Sequence, residues 1–105
     1  MADVAGHGVG AGILAAMTKS AFRALITHDP EPATMLGHLN RTPDQLVERN
    51  MFVTMAYVLI DHRSERAQIA TAGHPAVLQV RGDAHDWEEK RTPSLALGMD
   101  RLAVF

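Results

Sequence analysis

The segment from Asp3 to Gly12 constrains the fold of this chain more than any other part of the sequence. A short apolar stretch ends at the Asp3 carboxylate, and a helical pattern begins near Val9. Glycine adopts positive φ without strain, so the backbone between them turns sharply or lets another group approach closely. Four glycines stand there at alternate positions: Gly6, Gly8, Gly10 and Gly12.

An acidic side chain beside a glycine-rich turn is chemically suited to ion binding. Free backbone N–H groups at the start of a helix attract anions, and carboxylate oxygens bind hard cations such as Mg²⁺. The same spacing is equally compatible with an ordinary strand-to-helix turn, in which Asp3 is a solvated end residue. The spacing alone leaves both interpretations open.

The composition excludes several classes of protein. A chain of 105 residues with 47% hydrophobic and 21% charged residues is typical of a single globular domain. A net charge of −2 without a Lys/Arg cluster argues against nucleic-acid binding, and the absence of cysteine excludes disulfides and thiol chemistry. The longest apolar run, Met51–Ile60, is too short for a membrane span, and no secretory leader pattern is visible. We therefore expect a cytoplasmic protein without membrane insertion.

The periodicity of the first half predicts a pair of helices over about residues 9–49. The first helix covers about residues 9–27 and ends before the proline-containing segment Asp29-Pro30-Glu31-Pro32. The second begins near Pro32. Thr42-Pro43 interrupts the second helix, and a short continuation is expected after it, with Leu46 and Val47. The expected core residues are Ile13, Leu14, Met17, Ala21 and Leu25 in the first helix, and Met35, Leu36 and Leu39 in the second.

From about residue 51 to residue 105 the pattern becomes that of antiparallel strands. Both faces of Met51–Ile60 are apolar, which predicts a strand covered on both sides. A polar turn at Asp61–Glu65 and a return strand at Arg66–Ala72 predict a hairpin. The other expected segments are a strand at Ala76–Val80, an acidic irregular stretch at Ala84–Arg91, an apolar loop at Leu95–Gly98 and a strand at Leu102–Phe105.

Four ordered segments of the chain resemble a known family. Asp3-Val4-Ala5-Gly6-His7-Gly8-Val9 resembles the metal-site motif of the SpoIIE-type branch of the metal-dependent protein phosphatases, bacterial relatives of the type 2C (PPM) serine/threonine phosphatases. The resemblance covers essentially the whole chain, with mild departures at Ala5, often Ser, and Thr71, often Asn. The other matching segments are Phe52–Tyr57, Ala70–Ala76 and Pro93–Gly98.

The resemblance implies an α+β fold in which two stacked antiparallel sheets are flanked by an antiparallel helix pair. Residues 1–105 would form a single partial domain of this kind, incomplete at both ends. The acidic segment that the family has before the matched aspartate finds no counterpart here. The family's last metal-binding acids would lie beyond Phe105.

The resemblance also implies a site for two Mn²⁺ or Mg²⁺ ions. Asp3 matches an aspartate that contacts the metals, and Val4 matches a position whose backbone carbonyl is a further ligand. Such chemistry needs no nucleophile from the protein. His7, Gly8 and His74 are expected to order their turns or to contact the substrate. The other histidines lack the spacing of zinc ligands; they are His28, His38, His62 and His85.

The function implied is hydrolysis of phosphoserine or phosphothreonine on a regulatory protein of bacterial signalling, such as an anti-sigma factor antagonist. We expect the intact parent to be active and this segment alone to be inactive. One alternative is a catalytically inactive pseudo-phosphatase that acts as a protein-binding or dimerisation module. A remote alternative is a dinucleotide-binding domain, because Gly6-x-Gly8-x-x-Ala11 matches a relaxed form of that fingerprint.

A partial sandwich of this kind predicts association between copies. Strands that lack their neighbours expose unpaired backbone groups and apolar faces, and such edges readily pair with another chain. Two copies related by a two-fold axis could cover each other. We therefore expect a homo-oligomer, most simply a dimer.

Overall fold

The computed structural model describes residues 1–41, 51–82 and 85–105. Within those ranges the chain forms two helices and five strands in the order β1-α1-α2-β2-β3-β4-β5. The sheets are antiparallel, so the fold is α+β and consistent with a partial phosphatase domain of the expected kind. The elements are β1 (Ala2–Val4), α1 (Gly8–Leu25), α2 (Pro32–Leu39), β2 (Val53–Asp61), β3 (Arg66–Ala72), β4 (Val77–Arg81) and β5 (Asp86–Lys90).

The helix α1 agrees with the predicted bounds to within two residues, but its buried face is rotated from the predicted one. Leu14 is fully buried, whereas Ile13 is 54% exposed, so the placement of Ile13 in the core is wrong. An α-helix turns by about 100° per residue, which directs Ile13 well away from the side on which Leu14 packs. Met17 lies between the two and is half-buried. The predicted core positions of Leu14, Ala21 and Leu25 are confirmed. The stripe that faces the core consists of Ala11, Leu14, Thr18, Ala21, Phe22 and Leu25.

The helix α2 begins as the sequence predicts and buries the predicted side chains. Its N-cap is Glu31, whose carboxylate accepts hydrogen bonds from the backbone N–H of Ala33 and Thr34 at 3.2 and 2.7 Å. Hydrogen bonds from Thr34 are the main reason that the pKa of Glu31 lies below its ordinary value. Met35, Leu36 and Leu39 are buried. The predicted break at Thr42-Pro43 and the continuation with Leu46 and Val47 lie outside the described residues.

The first sheet has the order β1-β2-β3 and is covered by the helices on one side. Alternate residues of β2 face that side and join the core with Leu14 and the α2 residues. Phe22 and Tyr57 pack edge to face with ring centroids 5.3 Å apart, and the Tyr57 hydroxyl donates to the Pro30 carbonyl. The core-facing residues of β2 are Val53, Met55 and Tyr57.

We call the opposite side of this sheet the open face; β2 contributes Thr54, Ala56, Val58 and Ile60 to it. Ala56 is buried, but Val58 is 37% and Ile60 is 60% exposed. The prediction that this strand is covered on both sides is therefore wrong for its second half. The physical reason is that both helices lie on the core side of the sheet. A cavity of about 630 Å³ lies between Val58 and the strands β4 and β5.

The strands β4 and β5 form a separate hairpin, and β5 was not predicted. The acidic stretch that includes Asp86–Lys90 was expected to be irregular, but it pairs with β4 residue by residue from Val77↔Lys90 to Arg81↔Asp86. The side chains of β5 are mostly exposed, so backbone pairing with β4, and not side-chain burial, holds this segment as a strand. Glu88 contacts Lys90 at 2.6 Å and Arg81 at 3.5 Å across this surface.

The last residues do not form the predicted strand. Leu102–Phe105 follow a turn in which the Ala103 N–H donates to the Asp100 carbonyl, and Leu102 and Val104 are exposed. In the described parts of the chain no strand lies beside this segment to accept its backbone hydrogen bonds. Its apolar composition is therefore not enough to make it a strand.

The predicted apolar loop at Leu95–Gly98 is confirmed, and it links α2 to β2. Leu97 is buried and exchanges two backbone hydrogen bonds with Val53, at 2.8 and 3.0 Å. Asn40, the buried C-cap residue of α2, accepts from the Gly98 N–H at 2.8 Å and donates to the Asp100 carbonyl at 2.7 Å. Both polar atoms of a fully buried amide are thus satisfied.

Neither helix in the described ranges has the length and apolar character needed to cross a membrane.

Candidate functional site

The pairing of β1 with β2 places Asp3 on the open face. Asp3 lies opposite Thr54, and Val4 lies opposite Val53. Directly opposed residues of an antiparallel pair point to the same side of the sheet. Val53 and Val4 pack in the core, so Asp3 and Thr54 project from the other side. The Asp3 side chain is exposed there.

His74 contacts Thr54 through a hydrogen bond. The Thr54 hydroxyl lies 2.8 Å from Nδ1 of His74, which is 20 residues further along the chain. The His74 ring is half-buried. We call Asp3, Thr54 and His74 the open-face triad. The sequence singled out Asp3 and His74 separately but missed Thr54. The available signal was a polar residue in an otherwise apolar strand.

The backbone of the turn at Gly73 brings His74 to the sheet. Gly73 has a φ of +56° and forms a parallel bridge with Met55. A Cβ on Gly73 would lie 2.8 Å from the backbone nitrogen of Ala96, so only glycine fits this position without a shift. The buried Thr71 fixes the end of β3: its hydroxyl donates to the Thr92 carbonyl and accepts from the Thr92 N–H. The position of His74 is therefore set by backbone packing on both sides of the turn.

The glycine turn between β1 and α1 admits a neighbouring side chain. Gly6 and Gly8 have φ values of +111° and +77°. A Cβ on Gly10 would lie 2.9 Å from the methyl carbon of Met51, which also approaches Gly6. The alternate glycines thus provide the turn and the space for Met51 at the start of α1.

The predicted site residues of this turn lie apart from the open-face triad. His7 is exposed at the N-cap of α1, and its side chain makes no capping hydrogen bond. Gly8 is the first residue of α1. No described hydrogen bond connects either residue with Thr54 or His74.

Asp3 and Val4 offer the oxygen donors that a hard cation requires. The bonds from Ala5 to Phe52 and from Ala56 to Met1, both 2.9 Å, identify the residue pairs that exchange backbone hydrogen bonds. Because such pairs alternate along the ladder, the carbonyl of Val4 points away from β2, toward the free edge of the sheet. A carboxylate and a carbonyl that points away from the β1–β2 ladder therefore lie at adjacent positions.

These two donors fit part of a metal site. The described ranges contain no group of three or more His, Cys, Asp or Glu side chains that could hold a metal ion. One carboxylate cannot hold two divalent ions against their hydration, since such sites use several oxygen ligands per ion. The chemistry of Asp3 and Val4 fits Mn²⁺ or Mg²⁺, and further ligands have to complete the site.

A cavity of about 570 Å³ lies beside His74 on the open face, and Asp3 and Thr54 do not line it. His74 lines it together with Pro75, Ala76, Ala56 and Val58. The larger cavity under the β4–β5 hairpin touches none of the three triad residues. A ligand in the space beside His74 could therefore contact the imidazole of the triad.

The close approach at Gly73 generates a prediction with a matched control. Gly73→Ala should lower the free energy of unfolding by at least about 1 kcal/mol more than Gly82→Ala, because overlap with the Ala96 backbone adds to the cost of positive φ. Gly82 has nearly the same φ, +58°, but no atom of the described residues lies within 4 Å of its would-be Cβ. Chemical denaturation of both variants measures the difference. Equal losses would show that the turn at Gly73 is not tightly packed.

Comparison with known proteins identifies the family of the chain. Residues 1–105 match the family model described as Stage II sporulation protein E (SpoIIE). The chain is also similar to the phosphoserine phosphatase RsbU of Bacillus subtilis (strain 168), with 29% identity over 101 residues. That alignment covers 96% of this chain and 30% of RsbU, so the chain spans less than a third of the relative. No solved structure matches the chain.

Proposed function

Because the chain belongs to the SpoIIE family, we propose that it is part of a metal-dependent phosphatase that acts on phosphoserine or phosphothreonine in a regulatory protein. The name of the similar RsbU, a phosphoserine phosphatase, supports the reaction class. The structural observation that supports the proposal is the pair of oxygen donors at Asp3 and Val4, on the strand next to Thr54, whose hydroxyl contacts His74.

The residues of this chain would bind the metal ions and orient the substrate, and none of them would act as the nucleophile. The Asp3 carboxylate and the Val4 carbonyl would hold Mn²⁺ or Mg²⁺. Acids outside the described residues would complete the site for two metal ions. When bound, such ions stabilise the charge of a phosphoryl group as it is transferred. The triad lies on the helix-free side of the sheet, where a phosphorylated side chain can enter from the open cavity.

Family membership and the shape of the site support a protein as the substrate. We propose a cytoplasmic signalling protein as the partner, such as an anti-sigma factor antagonist that carries the phosphate. The cavity beside His74 is open and largely apolar, which suits the entry of a side chain from a protein surface. The charge balance of the chain gives no reason to expect a nucleic acid.

A pseudo-phosphatase is the second candidate. It is favoured by the small number of metal ligands, since Asp3 has no carboxylate or imidazole cluster around it in the described ranges. A domain of this kind would bind its partner through the same open face without cleaving phosphate. A dinucleotide-binding domain does not fit, because that fold needs a parallel sheet and β1 pairs with β2 in the antiparallel sense.

We predict that Asp3→Asn in the intact protein lowers hydrolysis of p-nitrophenyl phosphate in millimolar Mn²⁺ by at least about 100-fold, because a metal ligand loses its charge. The matched control is Asp86→Asn, which removes an exposed carboxylate from β5 and should leave turnover unchanged. Calorimetric titration with Mn²⁺ should show weaker binding for Asp3→Asn alone. Full activity of that variant would refute the assignment of Asp3, whereas an inactive wild-type protein would favour the pseudo-phosphatase.

We also propose that this chain forms a homodimer through the apolar residues left exposed on the open face. Light scattering during size-exclusion chromatography should give twice the chain mass of 11.4 kDa. Ile60→Glu should shift the mass toward the monomer, while Ile13→Glu, at a similarly exposed position on α1, should not. A cooperatively unfolding wild-type monomer at micromolar concentration would contradict the dimer.

A further inference from the structure

We propose that Thr54 is a positioning residue that orients the His74 imidazole, so that Nε2 donates a hydrogen bond to a phosphoryl oxygen of the substrate bound beside Asp3. This inference rests on the proposed function and extends it to two residues of the open-face triad. His74 would contact the substrate, and Thr54 would act only through His74.

The geometry starts from the register of the sheet. Thr54 lies directly opposite Asp3 in a pair that exchanges both backbone hydrogen bonds, which sets their Cα atoms about 5.5 Å apart. Their side chains leave the sheet on the same face. The Thr54 hydroxyl contacts Nδ1 of His74 at 2.8 Å. The imidazole is therefore tied to the nearest neighbour of Asp3 on the open face.

The contact at Nδ1 determines what the other ring nitrogen can do. If the Thr54 hydroxyl donates to Nδ1, a neutral imidazole carries its hydrogen on Nε2 and presents a donor. Phosphoryl oxygens only accept hydrogen bonds, so this tautomer is the productive one. The opposite tautomer would present a lone pair to the phosphate. Among the described residues Thr54 provides the only hydrogen bond to the His74 ring. A hydroxyl can donate or accept, and we assign it here as the donor to Nδ1.

A purely structural role for the imidazole is not needed to explain the turn. Positive φ at Gly73 and its contact with Ala96 fix the backbone, and Thr71 anchors the end of β3 to Thr92. The His74 ring remains half-buried and lines the 570 Å³ cavity instead of closing it. A ring held at one nitrogen and accessible from a cavity is arranged for a ligand.

A role for His74 as a metal ligand is also less consistent with the chemistry of the site. Mg²⁺ and Mn²⁺ prefer oxygen ligands, and imidazole suits zinc, copper, iron and nickel. The triad supplies a single carboxylate and a single imidazole. A hydrogen bond to phosphate uses the imidazole in a way that the oxygen donors Asp3 and Val4 cannot.

The first test needs no metal and no turnover. Nitrogen-15 NMR of the metal-free full-length protein at a pH where His74 is neutral reports its tautomer. We expect hydrogen on Nε2 in the wild type and in Thr54→Ser, which keeps the hydroxyl. In Thr54→Val the two tautomers should mix. A wild-type ring with hydrogen on Nδ1 would overturn the proposal.

The second test measures recognition of phosphate. In the Mn²⁺-loaded intact protein, binding of inorganic phosphate should weaken about 10-fold in Thr54→Val and at least as much in His74→Asn, the loss expected for a hydrogen bond to a charged group. Thr54→Ser should stay within about 2-fold of the wild type. In the double variant Thr54→Val/His74→Asn the loss should equal that of His74→Asn alone, because Thr54 acts through His74.

Two control measurements separate this role from the alternatives. The Mn²⁺ affinity and the denaturation midpoint should be nearly the same in the wild type and in Thr54→Val. A lower midpoint with unchanged phosphate binding would show a structural role and overturn the proposal. A parallel loss of Mn²⁺ affinity would show a metal ligand and overturn it as well. A wild-type protein that binds phosphate in this Thr54-dependent way without turning over substrate would support this inference and refute only the proposed hydrolysis.

Discussion

The register between β1 and β2 is the constraint on which the rest of the site depends. β1 has three residues, and backbone hydrogen bonds from Ala5 to Phe52 and from Ala56 to Met1 extend its pairing at both ends. A shift of one residue would turn Asp3 toward the helices and Val4 toward the open face. The burial of Val53 and the packing of Val4 in the core oppose that shift, so apolar packing on one side positions the carboxylate on the other.

Two long-range contacts keep the start of β2 and the His74 turn in place. The Leu97 backbone pairs with Val53, and the Asn40 amide holds the same loop at the end of α2. On the other side of that loop, Ala96 packs against Gly73, directly before His74. The loop at residues 96–98, which α2 holds through Asn40, therefore supports both the strand that carries Thr54 and the turn that carries His74. This arrangement explains how groups that are distant in sequence come to lie on one face of the sheet.

The sequence predicted the parts of this fold that local patterns determine. The two helix starts, the hairpin at residues 61–65 and the apolar loop at 95–98 each depend on neighbouring residues, and the structure confirms them. The strand β5 could not be predicted, because its side chains lack an apolar alternation and its order comes from pairing with β4. In the site, family resemblance identified Asp3 and His74. Their connection through Thr54 depends on strand register and on a contact across 20 residues, which no local pattern contains.

The central claim is that the Asp3 carboxylate, on the same face as Thr54 and His74, forms a metal-binding position together with the Val4 carbonyl at the adjacent edge of the sheet. Titration of the labelled protein with substoichiometric Mn²⁺ tests it most directly, because the paramagnetic ion broadens NMR signals according to their distance from it. The account predicts early loss of the amide signals of Asp3, Val4, Thr54 and His74. The signals of the exposed hairpin turn near His62 should persist at the same Mn²⁺ concentration. Strongest broadening at His62 or His85, with the signals of Asp3 and Val4 retained, would contradict it.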